Sequence, residues 1–85
     1  MKYAITGHTL GIGKAFFNRM SPAVLGFSRR VGYNIRDNFD RALMLEEAED
    51  VDVFINNAYA GWGQCELLHD LYRMWRGRDK LVINI

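Results

Sequence analysis

Short apolar runs alternate along this chain with longer stretches in which apolar residues recur at helical spacing. Strand-length runs fall at Lys2 to Thr6, Ala23-Val24-Leu25-Gly26-Phe27, Val51-Asp52-Val53-Phe54-Ile55 and Leu81-Val82-Ile83-Asn84-Ile85, with a very short further strand expected at Tyr33-Asn34-Ile35. A glycine turn from Gly7 to Gly13 feeds a helix through Lys14, Ala15, Phe16, Phe17 and Met20, the apolar members being core candidates. Ser21-Pro22 ends that helix, because proline disfavours helical geometry at the residue before it. A second helix is expected from about Asn38 to Ala48, with Asp37 or Asn38 as its N-cap and Asp40 in its first turn. The third follows a loop containing Gly61 and Gly63. Its apolar face is read from Leu68, Leu71, Tyr72 and Trp75, at i, i+3, i+4 and i+7, and Gly77 stops it.

Strands and helices in this alternation imply an α/β domain: a parallel sheet with right-handed crossovers and helices on both faces. The expected strand order is 3-2-1-4-5, which reverses direction beside the first strand and opens a ligand crevice at that point. The turn Gly7-His8-Thr9-Leu10-Gly11-Ile12-Gly13 falls at this crevice. Its glycines allow a tight backbone turn and close approach to a pyrophosphate, whose negative charge the free N–H groups of the helix start would face.

With 85 residues the chain makes one small domain, residues 1–85, that buries only roughly 60–65% of its unfolded surface. Association would therefore help to stabilise it. A hydrophobic content of 49% excludes a disordered or low-complexity chain. A net charge of +1 with no long basic stripe gives no case for nucleic acid. Cys65 is the single cysteine, so no internal disulfide forms, which fits a reducing cytoplasm. The chain carries no signal-peptide pattern, transmembrane run or lipidation motif, so no membrane partner is expected and a cytoplasmic location is the default.

Two motifs in order, Thr6-Gly7-x-x-x-Gly11-Ile12-Gly13 after the first strand and Asn56-Asn57-Ala58 after the fourth, resemble the short-chain dehydrogenase/reductase family. The resemblance runs over essentially the whole chain and corresponds to the family's amino-terminal, cofactor-binding half. It implies a Rossmann-like three-layer αβα fold, cut short after the fifth strand. Ile83-Asn84-Ile85 is similar to the run that leads into the family's serine. By this resemblance Gly7 permits the turn, Gly11 the approach to phosphate, and Gly13 the packing of helix on strand. Thr9 and Ile12 would offer N–H groups or a hydroxyl to the phosphates. Asn57 would hold the fourth strand against the glycine turn, and Ala58 would lie near a ribose. Asn34-Ile35 stands where the family flanks the adenine with an Asp-Val pair, keeping a hydrogen-bonding side chain and losing its charge.

The resemblance also bears on cofactor choice. An acidic residue at the end of the second strand would bind the ribose hydroxyls of NAD, whereas a 2′-phosphate calls for cations. Ser28, Arg29 and Arg30 stand there, so NADP(H) is expected over NAD(H), with the arginines discriminating. The alternative for the pair is a solvated loop. The family's catalytic Ser and Tyr-x-x-x-Lys are absent: Tyr72 is followed four residues later by Arg76, and its place on the apolar face makes it a core residue. The loop and helix after Asn57 are also shorter than in typical members.

Cys65 and His69 are four apart on a helix, but two ligands alone make a poor metal site, and a buried thiol with a surface imidazole is expected instead. His8 either touches phosphate or covers its loop. Trp62 either lines the nicotinamide end or packs in an ordinary way. The acidic residues Glu46, Glu47, Glu49 and Asp50 form a solvated face. The functional expectation is an NADP(H)-binding unit of an oxidoreductase without catalytic residues of its own; the alternatives are a self-contained nucleotide-binding module or an interaction module. The apolar fifth strand forms an open edge suited to pairing with a second copy.

Overall fold

The computed structural model describes residues 1–20 and 23–85. The expected helix stop at Ser21-Pro22 lies outside them. The elements are β1 (Tyr3–Thr6), α1 (Gly11–Met20), β2 (Val24–Phe27), a single 3-10 turn (Arg29–Val31), α2 (Asn38–Ala48), β3 (Val53–Asn56), α3 (Gly63–Trp75) and β4 (Leu81–Asn84). They build an α/β fold around one parallel sheet in the order β2-β1-β3-β4, with Ile5 beside both Gly26 and Ile55 and Phe54 beside Val82. Among the described residues no helix is long and apolar enough to cross a membrane.

The central strands β1 and β3 are buried on both faces, as the near-continuous apolar runs of a parallel sheet require. On one face Ile5, Val24, Val53 and Ile55 receive Phe16, Phe17 and Met20 of α1. On the other, Ala4 and Phe54 pack with Met44 and Ala48 of α2 and with Leu67, Leu71 and Trp75 of α3. Asp37 caps α2, its carboxylate accepting from the Phe39 N–H at 3.1 Å. Gly77, at φ +77°, follows the end of α3.

The sheet has four strands, not the five expected. Tyr33-Asn34-Ile35 forms no strand because its backbone groups are engaged elsewhere. The Tyr33 N–H donates to the Ser28 carbonyl at 2.9 Å, and the Asn34 N–H to Asp40 at 3.0 Å. The Asn34 carbonyl accepts from Asp37 at 3.0 Å, and the Ile35 carbonyl from the buried Arg41 guanidinium at 2.6 Å. The segment thus curls into a loop wedged between α2 and α3, and β2 is left at the sheet edge. The strand order 3-2-1-4-5 reduces accordingly to its last four members.

Two expectations about α3 are also corrected. Its buried face is Leu67, Leu71 and Trp75, at i, i+4 and i+8, while Leu68 points outward. Tyr72 is 61% exposed, with the Arg76 guanidinium 5.9 Å from its ring centre, and is no core residue. Leu71 and Trp75 are buried as expected, and the face turns toward Leu67 instead of Leu68 and Tyr72, a choice the pattern leaves undecided because both members of Leu67-Leu68 and of Leu71-Tyr72 are apolar or aromatic.

Candidate functional site

From β1 the chain runs outward to β2, then returns to the other side of β1 as β3, so connections leave in opposite directions between β1 and β3. The carboxyl ends of these two strands are tied together. The Thr6 hydroxyl accepts from the N–H groups of Asn57 and Ala58, each at 3.0 Å. In return the Asn57 amide donates to the carbonyls of Thr6 at 3.2 Å and Gly7 at 3.4 Å.

Gly7 turns the chain at φ +74°, and its N–H donates to the Phe27 carbonyl at 2.7 Å. A Cβ on Gly13 would lie 2.7 Å from the Asn57 amide nitrogen and 2.9 Å from the Gly7 carbonyl carbon, so α1 can seat against the turn only through a glycine. Gly11 takes φ +57° with open space around it, so its requirement is one of backbone conformation. Helix α1 begins at Gly11, three residues before Lys14 where the expected helix took over from the turn, which brings the first N–H groups of the helix to the turn itself.

Above this junction lies a cleft of about 540 Å³. Gly7, Thr9 and Leu10 form its floor, and the end of β2 supplies Phe27, Ser28, Arg29 and Arg30. Tyr33, Asn34 and Ile35 form the far wall, and Ala58, Tyr59 and Ala60 complete the lining. Both arginines are exposed, and neither forms an ion pair among the described residues. Among the described residues no acidic side chain lines the cleft; Glu47 and Asp40 stand behind its wall, bonded to Tyr33 and Asn34. The Ser28 hydroxyl beside the arginines is buried and has no hydrogen-bond partner among the described residues.

The far wall is held from behind. Arg41, only 4% exposed, donates to the Ile35 carbonyl, to Asn38 and to Glu66, and its Nε lies 3.5 Å from Asp70. Gly63 makes room, since a Cβ there would meet the Ile35 carbonyl oxygen at 2.6 Å. The Asn34 side chain accepts from the Arg36 N–H at 3.0 Å and so shapes its own loop. Tyr33 packs edge-on against Phe27 at 4.9 Å and donates its hydroxyl to Glu47, a bond that raises the phenol above its usual range.

The sequence-derived residues therefore divide into two groups. Gly7, Thr9, Ser28, Arg29, Arg30, Asn34, Ile35 and Ala58 converge on the cleft. Gly11, Ile12, Gly13 and Asn57 do not line it: Gly13 and Asn57 build the junction beneath, and the Ile12 side chain is 69% exposed. Sequence reasoning missed Leu10, Phe27, Tyr33, Tyr59 and Ala60 as lining residues, and the Thr6 hydroxyl as a clamp. Closeness in sequence to the candidate residues was the available signal for all five lining residues, Tyr33 standing next to Asn34.

His8 leans away from the cleft. Its ring packs on Phe17 at 4.6 Å and covers Gly26, where a Cβ would meet Nδ1 at 2.6 Å. Trp62 is 78% exposed, so it does not pack into the core, and it is not among the residues that line the cleft. The Cys65 thiol is exposed rather than buried, beside an exposed His69. Among the described residues no three His, Cys, Asp or Glu side chains are grouped to hold a metal ion. Compared with known proteins, the chain matches no family model, no curated protein and no solved structure.

Proposed function

We propose that this chain is an NADP(H)-binding, Rossmann-like unit of the short-chain dehydrogenase/reductase type. The observation that carries the reading is the convergence of the Gly7 turn, the Ser28-Arg29-Arg30 end of β2, the Asn34-Ile35 wall and Ala58 on one cleft at the point where the sheet connections reverse. A dinucleotide fits these features in sequence. Its pyrophosphate meets the glycine turn and the N–H groups of α1, its base the Asn34-Ile35 wall, and a 2′-phosphate the two unpaired arginines. Unlike a carboxylate at the end of β2, which would repel that phosphate, the Ser28 hydroxyl is compatible with it.

When bound, NADP(H) would supply the hydride donor or acceptor. The residues here would bind and orient it. With no Tyr-x-x-x-Lys in the sequence, the reading assigns them no proton transfer.

Calorimetric titration tests the proposal. NADPH should bind more tightly than NADH, and replacing both arginines (Arg29→Ala with Arg30→Ala) should weaken NADPH by about tenfold or more while leaving NADH almost unchanged, since two exposed charge-assisted bonds are lost. Equal affinities for the two cofactors would refute the choice of NADP(H). Binding of neither would favour the second reading, an assembly module. In its support, Leu81, Ile83 and Ile85 leave three exposed apolar side chains on one face of the chain at the edge strand β4.

A further inference from the structure

The cleft has an aromatic residue that its own fold does not use. Tyr59 lines the cleft yet is 82% exposed, the highest value among the chain's large hydrophobic side chains. It stands on the irregular segment between β3 and α3, two residues before Gly61 at φ +55°. It makes no aromatic pair and no side-chain hydrogen bond among the described residues. Its neighbours in the cleft differ in this respect: Phe27 is buried, and Tyr33 is fixed by Phe27 and Glu47.

The cleft is also chemically divided. Cations gather at the β2 end, whereas Ile35, Ala58 and Ala60 supply apolar lining, with the Arg36 guanidinium beyond it near Gly61. An occupant that satisfies both regions carries an anionic group at one end and a flat apolar group at the other. A flat π-system laid in the cleft against the exposed Tyr59 ring would cover apolar surface that water now meets. Ring stacking of this kind tolerates any base, because every base offers a π-face.

We infer that Tyr59 is a positioning residue that closes the cleft over the nucleobase by stacking on it, so that the site selects a phosphorylated nucleoside over a phosphorylated sugar. The inference rests on the nucleotide reading proposed above. The arginines then read the phosphate and Tyr59 reads the base, and the two contributions separate under mutation.

The test uses calorimetric titration of the whole chain with adenosine 2′,5′-bisphosphate and with ribose 5-phosphate, for the wild type, Tyr59→Ala and Tyr59→Phe. Because Tyr59 is 82% exposed and belongs to neither core cluster, both variants should melt with the wild type. Tyr59→Ala should weaken the bisphosphate about tenfold, the loss expected for one base stack. Tyr59→Phe should bind within about twofold of wild type, since the π-face is kept. Ribose 5-phosphate should be indifferent to both changes. A Tyr59→Ala variant that binds the bisphosphate as wild type does, while wild-type binding is measurable, overturns the stacking role and leaves the nucleotide reading standing. A wild type that binds neither ligand overturns both. Equal losses for base and sugar ligands in Tyr59→Ala would mean that Tyr59 merely shapes the loop, and would also overturn the inference.

Discussion

Replacing Gly13 by alanine is the sharpest test of how the glycine turn and α1 are joined. The added methyl would stand 2.7 Å from the Asn57 amide nitrogen and 2.9 Å from the Gly7 carbonyl carbon, with the Gly7 oxygen closer still. Ordinary carbon contacts lie at about 3.5–4.0 Å, so relief needs a shift on the order of 1 Å. The neighbours cannot give by that much. Gly7 is tied to Phe27 at 2.7 Å, and Asn57 is tied to Thr6 through both its backbone and its side chain. Either α1 lifts from the sheet or the Asn57 clamp opens.

Overpacking of this type costs about 1–3 kcal/mol, and a lost clamp bond about 1 kcal/mol more. Alanine's higher helix propensity offsets at most about 1 kcal/mol. The expected net loss is about 2 kcal/mol, a large share of the roughly 4–13 kcal/mol that a chain of this size has in total. At about 4–8 °C per kcal/mol, thermal unfolding followed by circular dichroism should show Tm falling by about 8–16 °C. Gly11→Ala is the control. Its site is left-handed at φ +57° but open, so only backbone strain of about 1 kcal/mol applies and Tm should fall about half as far. A Gly13→Ala variant that melts no lower than Gly11→Ala would refute the steric argument.

Three further outcomes follow from particular contacts. Arg41→Met keeps the buried stem but leaves the Ile35 carbonyl without its donor; Glu66 and Asp70 can turn to water, so the cost is mainly that carbonyl, about 2 kcal/mol in a urea titration, and a loss below about 0.5 kcal/mol would contradict it. The Asp52 carboxylate accepts the Lys2 N–H at 2.8 Å, which holds it below the usual carboxylate range against an opposing effect of desolvation. A group depressed in the folded state stabilises above its unfolded pKa and loses that contribution as pH falls through its folded value. Tm should therefore decline on acidification, and less steeply in Asp52→Asn; parallel acid limbs for the two proteins would remove Asp52 as a cause. If β4 pairs with a second copy along its open edge, light scattering should show dimers at high concentration that Ile83→Lys abolishes, whereas a monomeric wild type would exclude the pairing.

How far the sequence speaks depends on whether a feature is set by neighbours in the chain or by contacts across it. Strands β1 to β4 and the bounds of α2 were legible because apolar runs and the Asp37 cap are local signals. The meeting of the glycine turn with Asn57-Ala58 was legible through paired motifs. The far wall of the cleft was not. Tyr33-Asn34-Ile35 has strand-like composition, yet its geometry is decided by Asp40 six residues on, by Arg41, and by the space that Gly63 leaves across the fold. A lone arginine on a helix otherwise reads as a solvated residue, since it is almost never fully buried without partners, and its partners Glu66 and Asp70 lie on another helix. This has a functional consequence. Where a third strand would have fixed this wall by ladder hydrogen bonds to β2, the wall here rests on turn and side-chain bonds, with Asp40 holding Asn34 and the buried Arg41 guanidinium holding Ile35. Arg41→Met should therefore weaken adenosine 2′,5′-bisphosphate while leaving ribose 5-phosphate unchanged, because it loosens Asn34-Ile35 without touching Arg29 or Arg30. Equal losses for both ligands would show instead that Arg41 supports the whole cleft.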